Sequence, residues 1–396
     1  MQKCVKTEHH YVSIDIMVRM TYRWDMPQSI GKNAIEVFRA LRSAPKSRLE
    51  LASATGWSRN TVAKRLDELM AEGWVCESEP DSAGRGRPYA QYQMNPKAAV
   101  VYAAVFGWHQ LTGALCRLDG TPLVTDESPV NLDETQDVLP VLLAQLERLS
   151  ANPLVDGSRI VAGALGGPSS VANRITTGAW AQSPQLALEL PARLGIPFQV
   201  ENDANAMALG LRRTYPHVDS YIFVKVATGI GAGIVAGGRI LRGVDGLAGE
   251  VGHIPIPRAN SQPCGCGNRG CVSLVTNSQA LMRRLSTPEA PVNNLEQVRR
   301  LVLSGDGNAA MALREAGQAL GEALVGVITA VAPELIILGG RMTQFGDHFS
   351  TGVREVITTM TLPAISSRIR VDTVPDHHAA GIQGAADLAV DQFLGG

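Results

Sequence analysis

The sequence predicts an α/β protein in which an N-terminal winged helix-turn-helix precedes a larger body of two lobes. The first observation is a series of three short helical patterns followed by two β-like runs, between residues 29 and 97. The second is the alternation of β-rich and helical segments from residue 98 to residue 396, which is typical of layered α/β folds. A body of this length is large enough for two lobes with a cleft between them.

Composition and charge exclude several classes of protein. The net charge is −1 over 396 residues, so the chain is not a polycation and any nucleic-acid contact must come from a local basic surface. No apolar run approaches the roughly 18 residues of a membrane span, and the N-terminus lacks the apolar segment of a signal peptide, so we expect no membrane insertion. Residues 1–28 show no clean period and are expected to form a poorly ordered tail.

Helix-capping residues define the helix-turn-helix. Ser47 and Glu50 form a Ser-x-x-Glu capping box at the start of the second helix, and Gly56 ends that helix. Ser58 caps the third helix, "SRNTVAKRLDELMAEG", which Gly73 ends. Two helices joined by a short glycine turn are typical of a helix-turn-helix, and the β-like runs on either side of "EPDSAGRGRP" predict a wing.

The start of the third helix and the tip of the wing carry side chains that can donate to phosphates and base edges. The acidic residues cluster between Asp67 and Asp81, away from this basic surface. The alternative interpretation is a helical dimerisation module with a solvated basic face. The predicted DNA-binding residues are Ser58, Arg59, Asn60, Thr61, Lys64 and Arg65 in the helix, and Arg85 and Arg87 in the wing.

Two motifs in the body are candidates for ligand binding. The segment "ATGIGAGIVAGG" (residues 227–238) predicts a strand-turn-strand whose bare backbone can approach a phosphate or sugar, and a purely structural turn fits at least as well. The segment "VENDANAMALG" places Asn202 and Asp203 where a strand gives way to a helix. They can either hydrogen-bond to a ligand or cap the helix, and the residues alone support both interpretations equally.

The segment "GEVGHIPIPRANSQPCGCGNRGC" supplies a metal-binding pattern. His253, Cys264, Cys266 and Cys271 make the three-thiolate, one-imidazole ligand set of a closed structural Zn²⁺ site. The glycines let a tight loop wrap the ion, and the loop is expected to position Glu250 and His253 towards the cleft. The alternative is a reduced, metal-free loop. The other three cysteines are scattered singly, which fits a reducing cytoplasm better than a disulfide framework.

Taken together, these residues resemble the ROK family of sugar-responsive repressors and sugar kinases, from about residue 29 to the C-terminus. The family signature is Glu-x-Gly-His followed by Cys-x-Cys-Gly-x-x-Gly-Cys, which residues 250–253 and 264–271 match. The resemblance implies an actin-like, ribonuclease-H-like sugar-kinase fold for the body. The N-terminal helix-turn-helix module, residues 29–97, is similar to that of the repressor branch of the family. The resemblance also implies that Asn202, Asp203, Glu250 and His253 hydrogen-bond to sugar hydroxyls, with the Asp as general base in kinase members.

Departures from the family pattern distinguish its two branches. Kinases carry Asp-x-Gly-x-Thr after the first strand of the body, whereas this chain reads "VFGWH", in which Val105 replaces the Asp and Trp108 and His109 replace small and hydroxyl residues. Phosphoryl transfer needs a metal-bound, charge-stabilised triphosphate, so we expect no kinase activity. Ser273 stands where the family has Glu, and Gln185 where sugar-binding members often have Asn, so a different or weakened sugar pocket is expected.

The sequence therefore predicts a cytoplasmic DNA-binding transcriptional regulator of the repressor type, and not an enzyme. Its expected partners are double-stranded operator DNA, a sugar or sugar phosphate effector in the cleft, and a second copy of the chain in a homodimer or a dimer of dimers. One alternative is an ATP-dependent sugar kinase with an appended DNA-binding head, which Asp203 and "ATGIGAG" support. Another is a body regulated by a protein partner, with a vestigial pocket, which Ser273 supports.

Overall fold

The structure is a computed structural model, and it describes residues 32–42, 44–78, 90–107, 109–130, 138–167 and 183–395. The predicted tail at residues 1–28, the wing residues Arg85 and Arg87, and Trp108 lie outside these ranges. The fold class is the predicted one: a small N-terminal module, which we call the head, precedes two α/β lobes. Among the helices described, none is both long and apolar enough to cross a membrane.

The head combines three helices with a three-stranded antiparallel sheet. The predicted caps are confirmed, since Ser47 and Glu50 form a capping box and the Ser58 hydroxyl accepts a hydrogen bond from the Thr61 N–H. Gly56 adopts a φ of 72° between the second and third helices, a conformation that strains most other residues. The head elements are α1 (Lys32–Leu41), β1 (Lys46–Ser47), α2 (Arg48–Thr55), α3 (Arg59–Ala71), β2 (Val75–Ser78) and β3 (Gln91–Met94), and the strand order is β1-β3-β2.

The first lobe is built on a five-stranded sheet with helices beside it. Its strands are β4 (Ala99–Phe106), β5 (Gln110–Arg117), β6 (Pro122–Pro129), β7 (Arg159–Gly167) and β8 (Phe198–Asn202), and its helices are α4 (Leu139–Ser150), α5 (Ser183–Leu194) and α6 (Asp203–Leu211). The strand order is β6-β5-β4-β7-β8, with β4 antiparallel to β5 and parallel to β7. Every residue of β4 is buried, as its continuous apolar run predicts for a central strand.

The second lobe repeats this topology. Its strands are β9 (Tyr221–Val226), β10 (Ile230–Ala236), β11 (Arg239–Ile240), β12 (Leu335–Gly339) and β13 (Arg370–Thr373), in the order β11-β10-β9-β12-β13. The later helices are α7 (Ser273–Thr276), α8 (Ser278–Leu285), α9 (Leu295–Leu303), α10 (Gly307–Val331), α11 (His348–Met360), α12 (Pro363–Ser366) and α13 (His377–Phe393). In both sheets three antiparallel strands continue into two parallel ones, as expected for the predicted actin-like body.

The C-terminal helix α13 returns to the first lobe and packs along α6. A Cβ atom on Gly384 of α13 would overlap the carbonyl oxygen of Ala206, and one on Gly210 of α6 would overlap the carbonyl oxygen of Ala380. The two backbones therefore touch directly, which only glycine permits at these positions. The glycines set how closely α6 and α13 pack.

The head shares its hydrophobic core with the first lobe and α13. The Trp74 ring lies 5.7 Å from the Phe393 ring at the end of α13 and 5.9 Å from the Phe38 ring, measured between centroids. Arg42 forms ion pairs with Asp387 and Asp391 of α13. The last two turns of α13 are therefore a principal attachment of the head to the body.

We predict that Gly384→Ala destabilises the protein, because the added methyl group collides with the α6 backbone and forces the helices apart. Overpacking of this kind costs about 1–3 kcal/mol. Gly326→Ala is the matched control, since Gly326 is exposed within α10 and an added Cβ would meet no atom within 4 Å. Helix propensity favours alanine at such a position by up to about 1 kcal/mol. Urea unfolding measures both free energies, and a Gly384→Ala variant as stable as the control would contradict the assigned contact.

Candidate functional site

His253, Cys264, Cys266 and Cys271 come together in the second lobe, and their candidate ligand atoms lie within 4.8 Å of one another. The Nδ1 atom of His253 is 3.6 Å from the Cys264 sulfur, and the sulfur atoms of Cys266 and Cys271 are 3.7 Å apart. A tetrahedral site with zinc–sulfur distances of about 2.3 Å and zinc–nitrogen distances of about 2.0 Å has edges of about 3.5–3.8 Å. The four residues thus have the donor types and the spacing of a closed metal site.

Short backbone contacts, rather than long strands, shape the loop that carries these ligands. Isolated antiparallel bridges join Pro255 to Cys271 and Pro263 to Arg269. Gly267, between the second and third cysteines, has a φ of 94°, which lets the chain reverse within a few residues. The glycines of the signature therefore allow three thiols to face one point.

Asn202 and Asp203, at the junction of β8 and α6, have different roles. The Asn202 side-chain oxygen accepts a hydrogen bond from the Asn205 N–H at 3.1 Å, so Asn202 caps α6. Asp203 is buried, and one of its carboxylate oxygens accepts a hydrogen bond from the Ala204 N–H at 2.7 Å. Its other oxygen is bound by the Lys225 ammonium group.

Lys225 was not among the predicted site residues. It lies on β9 in the otherwise apolar run "YIFVKV", where a single charged residue is the sequence signal that points to a buried partner. The Lys225 side chain is 13% exposed and that of Asp203 is 6% exposed, so the ion pair is largely shielded from water. Asp203 is therefore charge-compensated by a residue of the other lobe.

A second buried carboxylate forms a similar link between the lobes. Glu201, on β8, accepts a hydrogen bond from the Arg242 Nε atom at 2.7 Å and another from the Asn205 side-chain amide at 3.0 Å. Arg242 follows β11 in the second lobe, so this ion pair also joins the two lobes. Glu201 and Arg242 were not among the predicted site residues, although a Glu within a half-apolar strand is a signal of the same kind as Lys225.

Glu250 precedes a short 3₁₀ helix, Val251–His253, and His253 is the last residue of that helix, which leads into the metal-ligand loop. Burial raises the pKa of the Glu250 carboxyl, and the negative charge of Asp203 raises it further, so the two carboxyl groups are close enough to interact. Burial lowers the pKa of the His253 imidazole. Of the four residues expected to contact sugar, Asp203 and Glu250 are thus brought together, Asn202 caps a helix, and His253 points its Nδ1 atom at a thiol.

The strand-turn-strand predicted for residues 227–238 is shifted along the chain: the segment holds the turn after β9 and the single strand β10, which pairs antiparallel with β9. A Cβ atom on Gly233 would overlap the carbonyl oxygen of Ala204 at the start of α6, so this glycine serves close packing. Gly229, in the turn, has open space around it. The structural interpretation therefore accounts for Gly233, while the backbone of the turn stays accessible to a ligand.

Val105 and Ser273, two of the departures from the family pattern, have clear places in the fold, while His109, another departure, is exposed. Val105 is fully buried on β4, and its side chain lies 2.9 Å from the position of a Cβ on Gly381 of α13. Ser273 is the first residue of α7, two residues after Cys271. Val105 thus belongs to the packing of α13 on β4, and Ser273 begins the helix that follows the metal-ligand loop.

The start of α3 presents polar side chains to solvent, as predicted. Ser58, Arg59, Asn60, Thr61 and Lys64 are all exposed. The Ser58 hydroxyl is already engaged in capping α3. Arg65 differs from its neighbours, because it is half-buried and its guanidinium group forms an ion pair with Glu68.

A family comparison agrees with this geometry. The model of the ROK family matches residues 104–392. The chain belongs to the ROK family. The resemblance drawn from the signature residues is thereby confirmed.

Two relatives and one solved structure show how far the similarity of this ROK protein extends. It is 26% identical over 364 residues to the xylose repressor of Bacillus subtilis, and the matched region covers 89% of this chain and 93% of the relative. It is 31% identical over 239 residues to a glucokinase of Thermotoga maritima, covering 55% and 73% of the two chains. A crystal structure described as a ROK family transcriptional regulator, homologue of the Escherichia coli MLC protein, matches with a TM-score of 0.74 at 25% identity and covers 91% of this chain and 97% of that one.

We predict that the purified protein contains one metal ion per chain and that Cys266→Ser loses it. The variant is also expected to unfold at lower temperature, because metal binding is linked to folding. Cys76→Ser is the matched control, since the only described contact of the Cys76 thiol is a weak one, 3.8 Å from the Gln93 amide. Elemental analysis of gel-filtered protein, with thermal unfolding, tests this. Equal metal content in the two variants would show that the cluster is not the ligand set.

Proposed function

We propose that this ROK protein is a DNA-binding transcriptional repressor whose operator binding is controlled by a sugar or sugar phosphate between its lobes. The proposal rests on how much of this chain is covered by the matches to known proteins. Residues 98–396 make up about three-quarters of the chain, whereas the matches to the xylose repressor and to the ROK regulator structure cover 89% and 91%. Those matches must therefore extend into the head, while the match to the glucokinase covers only 55%.

The chemistry of the head supports DNA binding. In a helix-turn-helix, the N-terminal residues of the second helix of the motif contact base edges in the major groove. Arg59, Asn60 and Lys64 stand there, exposed, and the described residues provide no ion-pair partner for Arg59 or Lys64. Arg85 and Arg87 are proposed to contact the adjacent backbone from the wing. Two heads in a homodimer, or in a dimer of dimers, would match a palindromic operator, and the site of action is the cytoplasm.

The cleft is proposed to bind the effector through Asp203 and Glu250, whose oxygens can accept hydrogen bonds from neighbouring sugar hydroxyls. Asp203 is the first residue of α6, and α6 lies in backbone contact with α13, which holds the head at its far end. A ligand that changes how the lobes sit would therefore act on the same helix pair that supports the head. This supplies the two distinct sites and the physical connection that allosteric control requires.

The metal is proposed to be Zn²⁺ in a structural role. Three thiolates with one imidazole are a donor set that suits zinc, and with four protein ligands no position is left open for a catalytic water. The ion would fix the loop between His253 and Cys271, and with it the orientation of Glu250. In this role zinc stabilises the ligand site without contacting the effector.

The same site argues against kinase activity. Val105 provides no carboxylate for a metal-bound triphosphate, and it is packed against α13. Asp203 is held by the Lys225 ammonium group, so accepting a proton from a sugar hydroxyl would cost the ion pair. Both observations favour a protein that binds a sugar without phosphorylating it.

We predict no sugar-dependent release of ADP when the zinc-loaded protein is incubated with Mg-ATP and a panel of hexoses, pentoses and amino sugars. A coupled assay for ADP makes the measurement, with an authentic glucokinase as the positive control. Turnover above the sugar-free rate would restore the alternative of an active kinase with an appended head.

We predict that Arg59→Ala weakens operator binding by about 10- to 100-fold, since loss of a base-edge contact costs about 1–3 kcal/mol. Arg239→Ala is the matched control, because Arg239 is an exposed arginine at the far edge of the second lobe. Operator sequences are first selected from a random DNA library, and fluorescence anisotropy then gives both affinities at several salt concentrations. Failure to select any sequence, or equal affinities of the two variants, would contradict the proposed DNA surface.

A further inference from the structure

A pair of histidines, one buried and one partly buried, lies at the start of α13, within the cleft between the lobes. His377 and His378 line a cavity of about 670 Å³, within the usual range of small-molecule sites. Their ring centroids are 4.3 Å apart, and His377 is only 5% exposed. Neither the metal cluster nor the proposed roles of Asp203 and Glu250 account for this pair.

Both histidines have unused hydrogen-bonding capacity. The Nδ1 atoms of His377 and His378 are buried and have no hydrogen-bond partner among the described residues. Burial is the main cause that lowers the pKa of both, that of His377 to about 3, and the positive charge of Lys225 contributes at each ring. Each ring is therefore neutral at pH 7 and can donate one N–H to an acceptor. Unsatisfied buried groups of this kind are costly, which is consistent with a ligand that supplies the acceptor.

The surrounding charges favour an anion at this place. The histidines begin a helix of 17 residues, whose N-terminal N–H groups attract negative charge. Arg341 lines the same cavity, is exposed, and has no ion-pair partner in the described part of the chain. Lys225 lowers the pKa of both histidines, although its own charge is paired with Asp203.

The acidic residues that line the cavity are mostly engaged elsewhere. Asp126 pairs with Arg148, and Glu296 pairs with arginines of its own helix. Asp376 caps α13 by accepting a hydrogen bond from the Ala379 N–H. Glu127 and Asp376 are the lining carboxylates for which the described residues provide no ion pair, and the charge of Asp376 acts on both histidine rings. The ion pairs of Asp126 and Glu296 reduce the repulsion that an anion would meet.

Gly107 connects this cavity to the segment that departs from the kinase pattern. It follows Val105 in "VFGWH", and the position of a Cβ on Gly107 is 3.3 Å from the Cε1 atom of His378. Where a kinase needs a carboxylate to hold a metal ion, this chain has valine, a bare glycine backbone and an imidazole. A phosphoryl group could therefore bind here directly, without a metal ion and without the aspartate that a kinase carries at the position of Val105.

We propose that the N-terminus of α13, with His377, His378 and Arg341, binds the phosphoryl group of a phosphorylated sugar. The inference rests on the proposed control by a sugar-type effector and narrows it to sugar phosphates. The phosphoryl oxygens accept hydrogen bonds from the histidine N–H groups and the helix N-terminus, with Arg341 at the cavity mouth. The sugar ring is then placed towards Asp203, the first residue of α6, which packs directly against α13.

The first test is calorimetric titration of the full chain with inorganic phosphate, at ionic strength held constant with sodium chloride. We expect His378→Ala and Arg341→Ala each to weaken phosphate binding by at least 10-fold. His217→Ala, which removes an exposed histidine beyond α6, should bind as the wild type does. Arg341 is exposed, so its variant remains informative if His378→Ala folds poorly. No phosphate binding by the wild type, or unchanged binding by a folded variant, would overturn the proposal.

The second arm compares glucose, N-acetylglucosamine and mannose with their 6-phosphates. At least one 6-phosphate should bind 10-fold or more tightly than its parent sugar, and Arg341→Ala should remove most of that difference. If ATP alone shows the Arg341-dependent binding, the site holds a nucleotide phosphate and the sugar-phosphate assignment is wrong. Ligand-free operator binding is measured on the same preparations. Operator binding without phosphate binding would reject only this inference, and loss of operator binding in the wild type would reject the proposed function itself.

Discussion

The direct backbone contact between α6 and α13 is the constraint on which the arrangement of the whole molecule depends. Gly210 and Gly384 bring the two helices so close that no side chain separates them, and a packed interior transmits such a contact instead of absorbing it. At one end of this helix pair lie Asp203 and the histidines of the cleft. At the other end lies the contact between Phe393 and Trp74, which attaches the head. The cleft and the head therefore share one close-packed pair of helices.

Two ion pairs cross between the lobes beside this helix pair. Asp203 and Glu201 belong to the first lobe, and Lys225 and Arg242 belong to the second; the pair of Asp203 with Lys225 is buried on both sides, whereas Arg242 is exposed. Breaking a buried pair by removing one partner commonly costs about 3–5 kcal/mol, so the Asp203–Lys225 pair favours one relative position of the lobes. A ligand that competes for Asp203 would weaken that preference.

Short-range signals explain which features could be predicted from the sequence. The capping residues Ser47 and Ser58 and the spacing of the cysteines act within a few residues, so the helix-turn-helix and the ligand cluster followed from pattern alone. Asn202 could not be assigned, because a cap and a ligand contact use the same residue type in the same place. The Lys225–Asp203 pair and the burial of His377 could not be predicted, because they arise from elements that meet only in the folded chain. The helix α13 itself gives a weak sequence signal, since it is glycine-rich and has a weak apolar stripe.

The contact between the head and the end of α13 limits which heads and bodies can be combined in such proteins. The Arg39 guanidinium donates a hydrogen bond to the carbonyl oxygen of Leu394, 355 residues further along the chain, and Trp74 rests on Phe393. A head moved by recombination at the N-terminus carries only half of this interface, because the other half is encoded at the opposite end of the gene. Exchange of heads succeeds only between bodies with compatible final helices, so changes of operator specificity and of the extreme C-terminus should be found together in evolution.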